Sequence, residues 1–139
     1  MAQEEQERFY YELGSHSPHR YWSLVDHGRL IAFGGLTNIE WENRLAEISL
    51  IVSPRYRRKG WGRKAVDLIF AEGFGNMNLN RIHGIAYGCN PGYLFWQKIT
   101  EEYKGALSWQ PDRKYWKGIY HGGLIFSVGV KGFHDAGEQ

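Results

Sequence analysis

The sequence predicts a mixed α/β domain: a twisted sheet built around a central strand–helix–strand unit and flanked by helices. Three observations predict it. Apolar residues alternate over 46–52, with Ala46, Ile48, Leu50 and Val52 on one face and Glu47 and Ser49 on the other; helical spacing follows over 61–74, through Trp61, Ala65, Leu68 and Ile69; and a strand-like run covers 81–87. The right-handed crossover of such a unit places its two strands parallel, side by side or nearly so. A length of 139 residues suits a single domain over 1–139, and 42% hydrophobic with 23% charged residues excludes a disordered or collagen-like chain.

Each element has a local reason. Residues 4–13 combine good helix formers with Phe9, Tyr10 and Leu13 at helical spacing, so a short helix within 1–20, closed by Gly14, is expected. Apolar runs at 21–25 and 30–36 flank Asp26-His27-Gly28-Arg29, the composition of a tight hairpin turn. Residues 38–44 are polar and read as a loop. Pro54 ends the strand at 46–52, a basic and Gly-punctuated stretch follows, and the helix at 61–74 begins at once. Pro91 opens a helix over 92–99, and strand-like material then alternates with turns at Pro111 and Gly118. Residues 130–139 read as a flexible tail. No internal repeat or linker interrupts this order.

The charge balance is narrow: 17 Lys and Arg against 15 Asp and Glu leave a net charge of +2, too little for nucleic-acid binding by bulk electrostatics. Any anionic partner must be held locally. There is no window of 18 apolar residues, and the start MAQEEQERF lacks the basic tip and apolar core of a signal peptide, so neither a membrane span nor secretion is expected. A lone Cys89 suits a reducing compartment, and a cytoplasmic protein is the expectation. No metal is expected. The unusual abundance is of flat rings and bare backbone, with 6 Trp, 9 Tyr and 7 Phe beside 18 Gly.

The sharpest local feature is Arg57-Arg58-Lys59-Gly60-Trp61-Gly62, set between the end of a strand and the first turn of a helix. The first N–H groups of a helix have no intrahelical partners and its macrodipole is positive there, so main chain alone can hold an anion. Gly60 and Gly62 remove the Cβ atoms that would keep a phosphate from those donors, and Arg57, Arg58, Lys59, Arg63 and Lys64 add charge. The spacing is neither the dinucleotide fingerprint, since position 65 is Ala, nor a P-loop. A second Gly-x-Gly, Gly73-Phe74-Gly75, lacks preceding cations and falls where a helix ends.

The run from Ala46 through Val52 and Pro54 to Gly62 resembles the central motif of the GNAT superfamily of acetyl-CoA-dependent N-acetyltransferases, whose signature is Arg or Gln, two residues, Gly, one residue, then Gly or Ala. Residues 30–36 look like the second hairpin strand of that family, and 79–82 like entry to the strand after its central helix. The resemblance runs from about residue 20 to 128 and is similar in flavour to the ribosomal-protein N-terminal and amino-sugar N-acetyltransferases. It implies a GNAT-like sheet in which the backbone from Arg58 to Arg63 holds the coenzyme A pyrophosphate. The strands at 46–52 and 81–87 would splay, with pantetheine pairing to the backbone near Leu50, Ile51 and Val52. A main-chain N–H there would stabilise the oxyanion of the tetrahedral intermediate. Asn90 matches a position that contacts the cofactor.

An amine attacks a thioester only when neutral, whereas alkyl ammonium groups are protonated at pH 7, so a base is required. Glu47, on the strand face away from Ala46 and Ile48, is the candidate, at a place where the family often uses Glu. His83, His121 and Tyr87 are further candidates. Two departures stand out. Trp96 occupies the position where the family has a Tyr that protonates the leaving thiolate, and Thr100 the position of a usual Gly; Tyr93, three residues before Trp96 on the same helical face, is the substitute, unless the thiolate leaves unaided. The segment before the hairpin is also shorter than the family's, which implies an open amine site: a partner subunit completes it, with a homodimer the favoured reading, or the acceptor is large and brings its own surface, or acceptor binding is weak; the acceptor is selected there and in loops at 38–44 and 108–118. A non-catalytic acyl-CoA-binding module is the alternative reading.

Overall fold

The hairpin turn at His27-Gly28 takes positive φ at both residues (51° and 75°), the conformation whose twist matches paired antiparallel strands. This is a computed structural model, and it describes residues 17–137. The expected helix at 4–13 lies outside those residues; 17–19 form neither helix nor strand and bend at Pro18. Packing divides the chain into two units, Met1–Asn80 and Arg81–Gln139. Six strands and three α-helices are found among the described residues, the mixed α/β composition that the sequence predicts. None of the helices is long and apolar enough to cross a membrane.

In the first unit, β1 (Arg20–Asp26), β2 (Arg29–Glu40) and β3 (Leu45–Val52) pair antiparallel in that order. Residues 38–40, expected in a loop, instead extend β2, and only 41–44 turn. Gly35 explains how closely β1 and β2 approach: a Cβ there would run into the carbonyl oxygen of Arg20 and stand 2.8 Å from the Tyr21 Cα. One sheet face carries Leu24, Ala32, Leu50 and Val52, which pack with Ile31 and with Ala65 and Trp61 of α1 (Trp61–Ala71). The helix ends three residues earlier than expected, in a single π turn over Glu72–Asn76, because the Met77 N–H bonds back to the Glu72 carbonyl.

In the second unit, β4 (Arg81–Tyr87) and β5 (Ala106–Trp116) both pair antiparallel with β6 (Ile119–Gly129), which lies between them. Residues 108–116, expected in a loop, are strand; Pro111 is accommodated by a bulge between Gln110 and Lys114, and the turn is confined to Lys117-Gly118. α2 (Tyr93–Glu102) lays Trp96 flat on Phe126 of β6, with ring centroids 4.7 Å apart, and Gly84 of β4 gives that Phe126 ring its space. Thr100 is fully buried and returns its hydroxyl to the Trp96 carbonyl at 2.7 Å. The expected tail is a correction: Val130–Gly137 forms a helix, α3, whose Phe133 stacks on Tyr103 and whose Gly132 sits against the Tyr103 carbonyl.

Candidate active site

After β3, Pro54–Tyr56 makes one 3-10 turn, and the chain then reaches α1 through two residues in the left-handed region, Arg58 (φ 62°) and Gly60 (φ 85°). Gly60 is the N-cap of α1. The first intrahelical bond runs from the Lys64 N–H to the Gly60 carbonyl at 3.2 Å, so the N–H groups of Trp61 and Gly62 precede the ladder and have no intrahelical partner. A Cβ built on Gly60 would meet nothing within 4 Å, so the space over this cap is open. Helix-start donors outside the ladder, open space and the positive end of a helix meet at this cap, an arrangement that can hold an anion.

The five cations of this segment are spent differently. Arg57 donates from Nε to the Val52 carbonyl at 3.1 Å, Arg63 pairs with Asp67 one turn on at 3.1 Å, and the Lys64 ammonium lies 5.2 Å from the centre of the Trp61 ring. Arg58 and Lys59 are exposed and have no partner found among the described residues. Leu50 and Val52 are half-buried against the core, whereas Ile51 points to the opposite face and is 68% exposed. A cavity of about 290 Å³ lies between the Leu50 face and α1, lined by apolar side chains including Trp22, Leu24, Ala65 and Ile69.

Glu47 is half-buried on the face opposite that cavity. Its carboxylate accepts a hydrogen bond from Asn38 Nδ2 at 3.1 Å, and its backbone carbonyl accepts one from the Thr37 hydroxyl at 3.4 Å. Tyr21 and Phe33 share this face and stack at 5.6 Å, and His19 stacks on Tyr21 at 6.2 Å. Sequence reasoning missed Asn38. A signal for it exists: Asn is the residue other than Gly that most readily takes positive φ, and Asn38 interrupts the apolar run of β2 with φ 50°.

In the second unit, Asn90 sits in the turn between β4 and α2. Its side-chain oxygen accepts the Gly92 N–H at 2.9 Å, which leaves its amide nitrogen to donate. Tyr93 is half-buried and meets Trp109 edge-on at 6.1 Å. Trp109 was not foreseen; it lies so close over Gly88 and Gly122 that a Cβ on either would strike its ring, and this glycine pair was the available signal. His83 is half-buried on β4, opposite Ser127, and the His121 Nε2 lies 3.1 Å from the Trp116 carbonyl. Tyr87 lies beneath the Lys114 ammonium.

The chain covers 94% of itself and 76% of a spermidine N-acetyltransferase SpeG F149A mutant from Vibrio cholerae, at 20% identity and a TM-score of 0.76. It is similarly like the spermidine/spermine N-acetyltransferase SpeG of that organism in complex with manganese ions, at 20% identity, 95% and 77% coverage and a TM-score of 0.77. At that identity the likeness establishes the fold. No curated protein matches. The model of the acetyltransferase (GNAT) family matches residues 2–92, a span that contains β1 to β4, the Gly60 cap and Glu47. The chain belongs to the acetyltransferase (GNAT) family, and its fold is the mixed sheet with flanking helices of that family.

Proposed function

We propose that this enzyme transfers acetyl from acetyl-CoA to a primary amine by direct attack in a ternary complex. The observation that carries the reading is the left-handed Gly60 cap with open space above it, between exposed cations and the N-terminus of α1. These residues fit a pyrophosphate. The N–H groups of Trp61 and Gly62 and the cations Arg58 and Lys59 would hold it, with Arg57 and Arg63 shaping the loop. The backbone of Leu50, Ile51 and Val52 and the Asn90 amide would bind the rest of the coenzyme. Acetyl-CoA supplies an acetyl group activated as a thioester.

Glu47 would take the proton from the ammonium, and Tyr93 would return one to the departing thiolate. The acceptor is a protein N-terminus or lysine, an amino sugar or another small amine. A cytoplasmic setting and pairing with a second copy of the chain belong to the same reading.

The test is calorimetry with coenzyme A, followed by turnover of acetyl-CoA over peptide N-termini, lysine peptides, polyamines, aminoglycosides and amino sugars. Spermidine leads the screen because the similar structures bear its name. Turnover of at least one amine, reduced about 100-fold in Glu47→Gln with unchanged coenzyme A affinity, is expected. Tight binding with no turnover would assign a non-catalytic acyl-CoA-binding module, and absence of binding would remove the cradle assignment.

A further inference from the structure

We infer that Asn38 positions the Glu47 carboxylate and that a β-bulge in β2 is the device that aims it. The inference rests on the reading of Glu47 as the base. Thr37 pairs with Glu47 and Glu40 with Leu45, so β2 spends one more residue than β3 over this interval. A bulge of this kind leaves N–H groups outside the ladder and re-aims the side chain it carries. Both consequences are visible. The N–H groups of Asn38 and Ile39 are taken by the preceding segment, at His19 Nδ1 (3.3 Å) and the Pro18 carbonyl (2.8 Å). With its backbone clamped at φ 50°, Asn38 turns its amide nitrogen onto Glu47 Oε2 at 3.1 Å.

The arrangement suits a base better than a structural pair. Asn38 and Oε2 are exposed, so their bond adds little to stability, yet it holds one carboxylate oxygen and leaves Oε1 to receive a proton. The other titratable side chains brought to this face among the described residues include His19, whose Nδ1 is engaged by the Asn38 N–H, Tyr21, and Glu40, which pairs opposite Leu45 and accepts the Asn43 Nδ2 at 3.0 Å. Asn38 is therefore a positioning residue, and touches no substrate.

The experiment is a double-mutant cycle on the amine with the highest turnover, using Asn38→Gly, Glu47→Gln and the double variant. Glycine keeps the positive φ and the N–H bonded to His19 and removes only the amide. Asn38→Gly is expected to lower kcat about tenfold with KM for acetyl-CoA unchanged, and to cost nothing further in the Glu47→Gln background. Asn38→Asp, which keeps the shape, should move the acidic limb of the kcat–pH profile to higher pH, because a second carboxylate at this separation disfavours ionisation of the pair. A full rate for Asn38→Gly, or the same loss with and without Glu47, overturns the inference and leaves the base reading intact. No dependence on Glu47 in the wild-type background overturns both, as does no turnover of any amine.

Discussion

Arg57 donates its Nε to the Val52 carbonyl at 3.1 Å and so ties the cationic loop to the end of β3. One nitrogen of a side chain expected at the coenzyme phosphates is thereby spent on the main chain, and its two terminal nitrogens remain to donate elsewhere. Arg57→Ala should weaken coenzyme A binding about tenfold, combining loss of a charge-assisted hydrogen bond with loss of a cation near the phosphates. Titration at two salt concentrations checks it, and the affinity of the variant should fall less steeply with salt than that of the wild type.

Gly60 separates strain from charge. Since a Cβ there meets nothing, Gly60→Ala should cost about 1–2 kcal/mol through its φ of 85° alone, seen as a lower Tm with weakened coenzyme A binding. Gly60→Asp adds a carboxylate to the open space and should abolish binding in a folded protein. Unchanged calorimetric affinity in Gly60→Asp would remove the cradle from this loop.

Gly35 is a stability prediction. A Cβ there meets backbone on β1, which has no flexible end to move aside, so Gly35→Ala should cost about 3 kcal/mol. Thermal unfolding followed by circular dichroism should show a drop in Tm of about 10 °C.

Tyr93→Phe isolates the phenol. The ring contact with Trp109 survives the change, so Tm should hold while kcat falls about tenfold and KM for acetyl-CoA stays constant. Equal kcat for Tyr93→Phe and wild type would mean that the thiolate leaves without help.

Trp96 fills the position at which the family resemblance leads one to expect a Tyr. Its indole stacks on Phe126 at an interplanar angle of 11° above the bare backbone of Gly84, so the position expected to carry a Tyr is filled by packing. The substitution was visible in the sequence. Its cause, a ring on β6 that follows Trp96 by 30 residues, was not.

What the sequence determined by itself is whatever neighbouring residues decide among themselves. The His27-Gly28 turn, the alternation of β3, the strand at 81–87, the helical face of α1 and the glycine-bearing cationic loop all follow from spacing and backbone preference within a few residues. Only tertiary structure decided the extension of β2 through Glu40, the strand across Pro111 and the helix at Val130–Gly137. Each depends on a partner far along the chain: β3 and the Ser17–His19 segment for the first, β6 for the second, Tyr103 for the third. The candidate base divides the same way. Alternation alone put Glu47 on the face away from the core, but an inserted residue in β2, nine positions earlier, brings Asn38 to its carboxylate, because a bulge is a mismatch between two strands and neither strand's sequence contains it.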